Sequence, residues 1–361
     1  MSISATALLE RYLVNDFEPD WCLATVVSKE GSSYRNPGAM MLVNPLGQAS
    51  GMVSGGCLEM DVIQRSRQVL HDDNARFIEY DMIDEESLAA ELGIGCRGKL
   101  GIYVQRIGQK LHRLMARMYA ELDAGSTCYM VQQYNPEVEI QTGALYLLDE
   151  QSQVLMSTEA ADALPSLELS QQYQSISNEA GYWSCTRMSP AINILLFGGG
   201  ADARPLAKMA AILGWRVHVV DHRPAYASAK FFPDAYKIIR QAPADLGAFS
   251  ARIDAAIVLT HNLKLDAASI TWILSQAELP RYIGLLGPAE RKFRVLENVT
   301  DVEHEFALQH IRGPVGVDVG GELPESIALS ILADVHAVLL NGTGERLYQQ
   351  GTEKLLGLKS G

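Results

Sequence analysis

Between residues 21 and 107 the chain alternates short apolar runs with glycine-bearing polar turns, the pattern of strands joined by tight connections. "WCLATVVS" (21–28), "AMMLVN" (39–44) and "KLGIYVQRI" (99–107) each suit a strand. The Pro and Gly of "PLGQ" (45–48) suit a turn, so "ASGMV" (49–53) is expected to return as an antiparallel neighbour. After Ser54 the spacing changes. Cys57, Met60, Ile63, Val69 and Leu70 fall mostly at helical intervals with Glu59, Asp61, Arg65 and Arg67 between them, which predicts a helix with one wet face. A second helix is predicted over "LHRLMARMYAELDAG" (111–125), ending at Gly125. The rest of residues 109–190, including the polar stretch "SLELSQQYQSISNEAGYWS" (166–184), offers strand-like pieces without a motif and reads as an irregular middle segment.

From residue 191 onward the apolar runs "INILLFG" (192–198), "RVHVVD" (216–221), "AAIVLT" (255–260) and "YIGLLG" (282–287) are separated by helix-length segments, as in parallel strands with helical crossovers. The expected fold class is therefore α/β: a Rossmann-like, doubly wound parallel sheet over 191–361, preceded over 1–108 by an α+β domain rich in antiparallel strands. The first run leads into "GGGADARPLAKMAAILGW", where Gly198, Gly200 and Ala203 satisfy the G-x-G-x-x-G/A spacing. The second run ends at Asp221, 21 residues beyond Gly200. Gly198, Gly199 and Gly200 would let backbone amides approach a pyrophosphate at a helix N-terminus, and an acid ending the second strand would accept hydrogen bonds from a ribose. The same turn also serves as a packing device in domains that bind no nucleotide.

Composition narrows the partners. Of 361 residues, 30 are Lys or Arg and 43 Asp or Glu, a net charge of −13 that repels nucleic-acid backbones and anionic membrane surfaces. The five cysteines are odd in number and scattered, unlike a secreted disulfide framework. "MSISATALLERYLVNDF" lacks the basic and apolar regions of a leader, so a cytoplasmic location is expected.

Two cysteines sit among glycines. Cys57 follows Gly55 and Gly56 at the expected helix start, where unpaired N–H groups suit an anion. Cys96 stands in "LGIGCRG" beside Arg97. Two loop thiols of one domain can converge on a ligand that combines metal or sulfur chemistry with a phosphate, although small buried cysteines at tight turns would look the same. No C-x-x-C or H-E-x-x-H motif supports a structural zinc site. His261 and Asp266 follow the third parallel run at the edge where ligands of such sheets gather, and Asp318 lies among glycines in "GPVGVDVGG". Glu59 follows the first thiol closely.

"EGSSYRNPGAMMLVN", "GMVSGGCLE" and "LGIGCRG", together with "LLFGGGADARPLAKMAAILGWRVHVVDHRP", "LTHNLKLD", "YIGLLGP" and "GPVGVDVGGELPESIALSILADV", resemble the XdhC/CoxI family in order and spacing. These are xanthine dehydrogenase accessory proteins. The resemblance implies a carrier that binds molybdenum cofactor, as molybdopterin or its dinucleotide, and protects it. It further implies sulfuration with a cysteine desulfurase and delivery to a molybdenum hydroxylase such as xanthine dehydrogenase, a chaperone rather than a turnover enzyme, acting as a homodimer. On that resemblance Cys57 and Cys96 are the metal ligands, and Arg35, Ser54, Gly55, Gly56, Glu59, Gly198, Gly199, Gly200, Asp221, His261 and Asp318 contact the cofactor. Met40 stands where the family commonly shows arginine, leaving Arg35 as the cation for an anion there, and Arg97 replaces the usual glycine after Cys96. The alternative is an NAD(P)-dependent oxidoreductase or a nucleotide-binding regulatory module built on the Rossmann domain.

Overall fold

The structure, a computed structural model, describes residues 4–14, 20–82, 98–141, 143–159, 164–179, 181–249, 251–299 and 304–346. The chain divides into two compact units, Met1–Ala191 and Ile192–Gly361.

Unit 1 begins with α1 (Ala5–Val14), followed by β1 (Cys22–Gly31), β2 (Met40–Val43), β3 (Ala49–Gly51), α2 (Glu59–Asp72), β4 (Ala75–Asp81) and β5 (Gly98–Arg106). β1, β2, β3 and β5 match the strands expected from the apolar runs, whereas α1 and β4 lie outside those runs. With β7 (Ile140–Gln141) they form a six-stranded sheet in the order β3-β2-β1-β5-β4-β7, antiparallel at each pairing. The long β1 carries the sheet because "CLATVV" is buried along its whole length, which requires cover on both faces. Val62 and Val69 of α2 pack with Ala24, Val26 and Val104 on one side. On the other side Leu23 and Leu42 meet Leu8 and Leu9 of α1 and the Leu111, Leu114, Met115 and Met118 stripe of α3 (Gln109–Asp123).

The segment 109–190 is not irregular. Besides α3 and β7 it forms β6 (Cys128–Tyr134), β8 (Leu145–Leu148), β9 (Val154–Ser157), β10 (Tyr173–Asn178) and β11 (Gly181–Met188), an antiparallel sheet ordered β10-β11-β6-β8-β9. Its inner face shares the α3 core through Met130, Leu145 and Leu147, while Tyr146 and Trp183 anchor the opposite face. The helix after the thiol also differs from expectation. Its buried face is Val62, Ser66 and Val69, and Met60 is 75% exposed.

Unit 2 is the expected parallel sheet. The strands β12 (Asn193–Phe197), β13 (Arg216–Val220), β14 (Lys237–Ile239), β15 (Ala255–Val258), β16 (Tyr282–Leu285) and β17 (Ile311–Arg312) lie in the order β14-β13-β12-β15-β16-β17, all parallel. This is the 3-2-1-4-5-6 arrangement of a Rossmann domain, with the order reversing between β12 and β15. Alternate residues of β12 face opposite layers. Ile194 and Leu196 pack on α4 (Ala203–Ile212) and α8 (Pro324–Leu339), whereas Leu195 and Phe197 pack on α5 (Leu263–Leu274) and α6 (Ala289–Leu296). The short α7 (His304–His310) precedes β17.

Candidate functional site

In unit 1 the chain leaves β3 and crosses to α2 through a hydrogen-bonded loop. Val53 and Leu58 are buried and fix its two ends. Between them the Ser54 hydroxyl accepts from the Gly56 N–H (3.2 Å) and the Leu58 N–H (3.1 Å) and donates to Glu59 Oε2 (2.5 Å). Glu59 Oε1 accepts from the Ser54 N–H (2.8 Å). This is the reciprocal logic of a capping box spread over five residues, and it starts the helix at Glu59, two residues beyond Cys57. The thiol therefore precedes the first helical turn instead of lying in it, and Glu59 has a structural job as a loop clamp. Gly56 holds a φ of +112°, open to glycine but strained for other residues.

The outcome is an exposed thiol on a braced loop. Among the described residues Cys57 is exposed, while Cys22, Cys128 and Cys185 are buried. Burial pushes the thiols of Cys22 and Cys128 up to about 12 and that of Cys185 to about 11, so these three stay protonated packing residues. Gly55 lies under the ring of Tyr34: a Cβ there would stand 3.3 Å from Tyr34 Cγ. That contact brings the β1–β2 loop, with half-buried Arg35, against the thiol loop. Cys96 lies outside the described residues. Gly98, two positions on, is paired with Gly31, where a Cβ would come within 2.5 Å of the Glu30 and Ser32 carbonyl oxygens. Among the described residues no group of three or more His, Cys, Asp or Glu could hold a metal ion.

In unit 2 the turn after β12 is shaped by contacts that exclude side chains. Gly198, at φ +110°, donates to the Val220 carbonyl (2.8 Å), and a Cβ on it would lie 2.7 Å from the Leu259 carbonyl oxygen. Gly199 donates to Asp221 Oδ2 (2.8 Å), and Gly200 has open space where a side chain would project. Asp221 is buried, and its carboxylate also accepts from Arg223: at Oδ1 from the backbone N–H (2.9 Å) and Nε (3.0 Å), at Oδ2 from Nη2 (2.7 Å). Burial pushes the carboxyl up, but the Arg223 guanidinium and the two N–H groups outweigh it and hold it below the ordinary carboxylate range.

Sequence spacing found Asp221 and missed Arg223 as its partner. His261 sits in the left-handed region (φ +60°) with Nε2 2.8 Å from Asp202 Oδ2, at the start of α4. Asp266, also noted in the sequence, is buried: it accepts from the Thr260 hydroxyl (2.5 Å) and from Arg291 Nη2 (2.6 Å), pinning the loop after β15 to α6. Asp318 is exposed on the wall of a cavity of about 340 Å³ between the ends of β16 and β17 and the start of α8. The structure thus joins Gly198, Gly199 and Asp221 directly, ties His261 to the helix that follows them, and leaves Asp318 in a cavity of its own.

Comparison with known proteins accords with both halves. Residues 19–81 match the model of the XdhC and CoxI family, and residues 194–335 match that of the XdhC Rossmann domain. The chain is 33% identical over 315 residues to a probable xanthine dehydrogenase subunit of Bacillus subtilis (strain 168), spanning 87% of this chain and 91% of that protein. It is 25% identical over 323 residues to the molybdenum cofactor insertion chaperone PaoD of Escherichia coli (strain K12), 88% of this chain and 83% of that one. A crystal structure described as a xanthine dehydrogenase from Bacillus halodurans superposes with a TM-score of 0.74 at 30% identity, covering 94% of this chain and 97% of the other. With one-third identity sustained over nine-tenths of a relative's length, the chain belongs to the XdhC/CoxI family.

Proposed function

We propose that this protein binds molybdenum cofactor and delivers it to a molybdenum hydroxylase of the xanthine dehydrogenase type. The observation that carries the reading is the Cys57 loop: an exposed thiol held by Ser54 and Glu59, on a chain similar over most of its length to a cofactor insertion chaperone. Thiolate is a soft ligand suited to a metal already bound by sulfur, and an exposed position lets cargo enter and leave. Cys57 meets the metal centre, with Cys96 as the second thiol. The Gly55–Gly56 backbone and Arg35 serve the anionic part, and Gly198–Gly200 are by themselves the candidate nucleotide turn of unit 2. Shielding of the cofactor, its sulfuration with a cysteine desulfurase, a homodimeric state and a cytoplasmic setting complete the proposal.

The NAD(P)-dependent alternative draws its support from the same glycine turn and needs Asp221 to accept from a ribose. Four protein donors already occupy that carboxylate, which weighs against it. The test is cofactor content after anaerobic purification from a host that makes the cofactor. Wild type is expected to carry molybdenum and pterin together, and Cys57→Ala to carry much less at unchanged thermal stability. Equal content in the folded variant would refute the role of the thiol.

A further inference from the structure

Tyr34 in the β1–β2 loop is 69% exposed, and among the described residues it makes no hydrogen bond, ion pair or ring contact. An exposed tyrosine is ordinary in itself. This one is covered on one side only. A Cβ built on Gly55 would stand 3.3 Å from Tyr34 Cγ, 3.5 Å from Cδ2 and 3.6 Å from Cδ1, distances so nearly equal that the position lies over the plane of the ring and not beyond its edge. One face of the ring therefore rests on the Gly55 backbone, and the exposure that remains leaves the opposite face open to solvent.

Both sides of this contact are braced. In the β1–β2 loop Ser33 Oγ donates to the Arg35 carbonyl (2.6 Å), Lys29 Nζ to Asn36 Oδ1 (2.9 Å) and the Gly38 N–H to the Val26 carbonyl (2.8 Å). Gly38, at φ +88°, also packs against the Thr186 methyl and docks that loop on β11. Across the contact the Ser54–Glu59 hydrogen bonds hold the thiol loop. Exposed Cys57 follows Gly55 by two residues, a stretch of chain that spans at most about 7 Å, so ring and thiol lie within reach of one small ligand.

We propose that Tyr34 is the stacking platform for the planar pterin ring of the cargo whose metal end meets Cys57. A phenol ring suits the flat face of a heteroaromatic bicycle, and a ring already held at one face loses little freedom when its other face is covered. The identity of the stacked ring as a pterin rests on the function proposed above, whereas the aromatic platform stands on Tyr34 and Gly55 alone.

Fluorescence titration of neopterin, a metal-free pterin, with the full chain separates the two, each variant being checked by its melting curve. Wild type is expected to quench the pterin saturably. Tyr34→Ala should weaken binding about tenfold at unchanged melting temperature, whereas Tyr34→Phe, which keeps the ring, should stay within about twofold of wild type. Tyr34→Leu covers Gly55 without offering an aromatic face and should behave like the alanine variant. Quenching that is absent in wild type, or affinity equal to wild type in the folded alanine or leucine variant, overturns the platform. A Tyr34→Ala chain that loses neopterin yet retains wild-type cofactor content overturns its role toward the cargo. Neopterin binding that depends on Tyr34 in a chain that never acquires cofactor leaves the platform standing and refutes the proposed function instead.

Discussion

Asp221→Ala tests what the acid at the end of β13 is for. Its carboxylate is buried and accepts four hydrogen bonds of 2.7–3.0 Å, one from Gly199 in the glycine turn and three from Arg223. Removing it strands the Gly199 and Arg223 N–H groups and releases a guanidinium that is 41% exposed and so can rehydrate. A fully buried broken pair costs about 3–5 kcal/mol, and the exposed partner lowers this to about 2–4 kcal/mol. Urea unfolding without any ligand is the assay, with near-equal m-values required for comparison. The depressed carboxyl adds a second signature: its contribution is complete above the ordinary carboxylate range and fades as pH falls through the lowered value, so the variant's deficit should shrink in strong acid. Unchanged stability combined with weakened nucleotide affinity would refute this structural role and return Asp221 to ligand contact.

His218 makes stability depend on mild acid. Burial first, then Lys237 and Arg216, depress it to about 4, so between the ordinary 6.5 and about 4 the unfolded chain takes up a proton that the folded one refuses. Stability should fall by about 2 kcal/mol from pH 7 to pH 5 on this account alone, and His218→Gln should remove that part of the slope; an identical slope in the variant would contradict it. Gly38→Ala should destabilise unit 1 by about 1–3 kcal/mol, because the new Cβ meets the Thr186 methyl and the backbone φ of +88° disfavours it. A melting temperature within error of wild type would show that the β1–β2 loop moves away from β11 at no cost.

What the sequence disclosed follows from how burial is written into it. β1, β2, β5 and the four main strands of unit 2 are covered on both faces, and their near-continuous apolar runs identify them. The sheet of β6, β8 and β11 escaped because Gln132, Ser184 and Thr186 are buried within it, so polarity there does not report exposure. The start of α2 was misplaced for a local reason: the Ser54–Glu59 clamp spans five residues instead of the usual three. The glycine turn of unit 2 was legible as a motif. Its acid's main partner, Arg223, and the Asp266–Arg291 pair were not, the first because no motif marks it and the second because 25 residues separate its members. The Pro37–Gly38 dipeptide was the available sign that the β1–β2 loop turns tightly, but nothing in it points to Thr186.

The most direct test of the central claim is transfer itself: cofactor-loaded chain is mixed with a cofactor-free xanthine dehydrogenase-type hydroxylase, and the appearance of hydroxylase activity is followed against an equal amount of free cofactor. The account predicts that activity rises faster and further from the loaded chain as molybdenum leaves it, and that Cys57→Ala gives no advantage over free cofactor. Loaded chain that keeps its molybdenum, or that activates the hydroxylase no better than free cofactor, would contradict it.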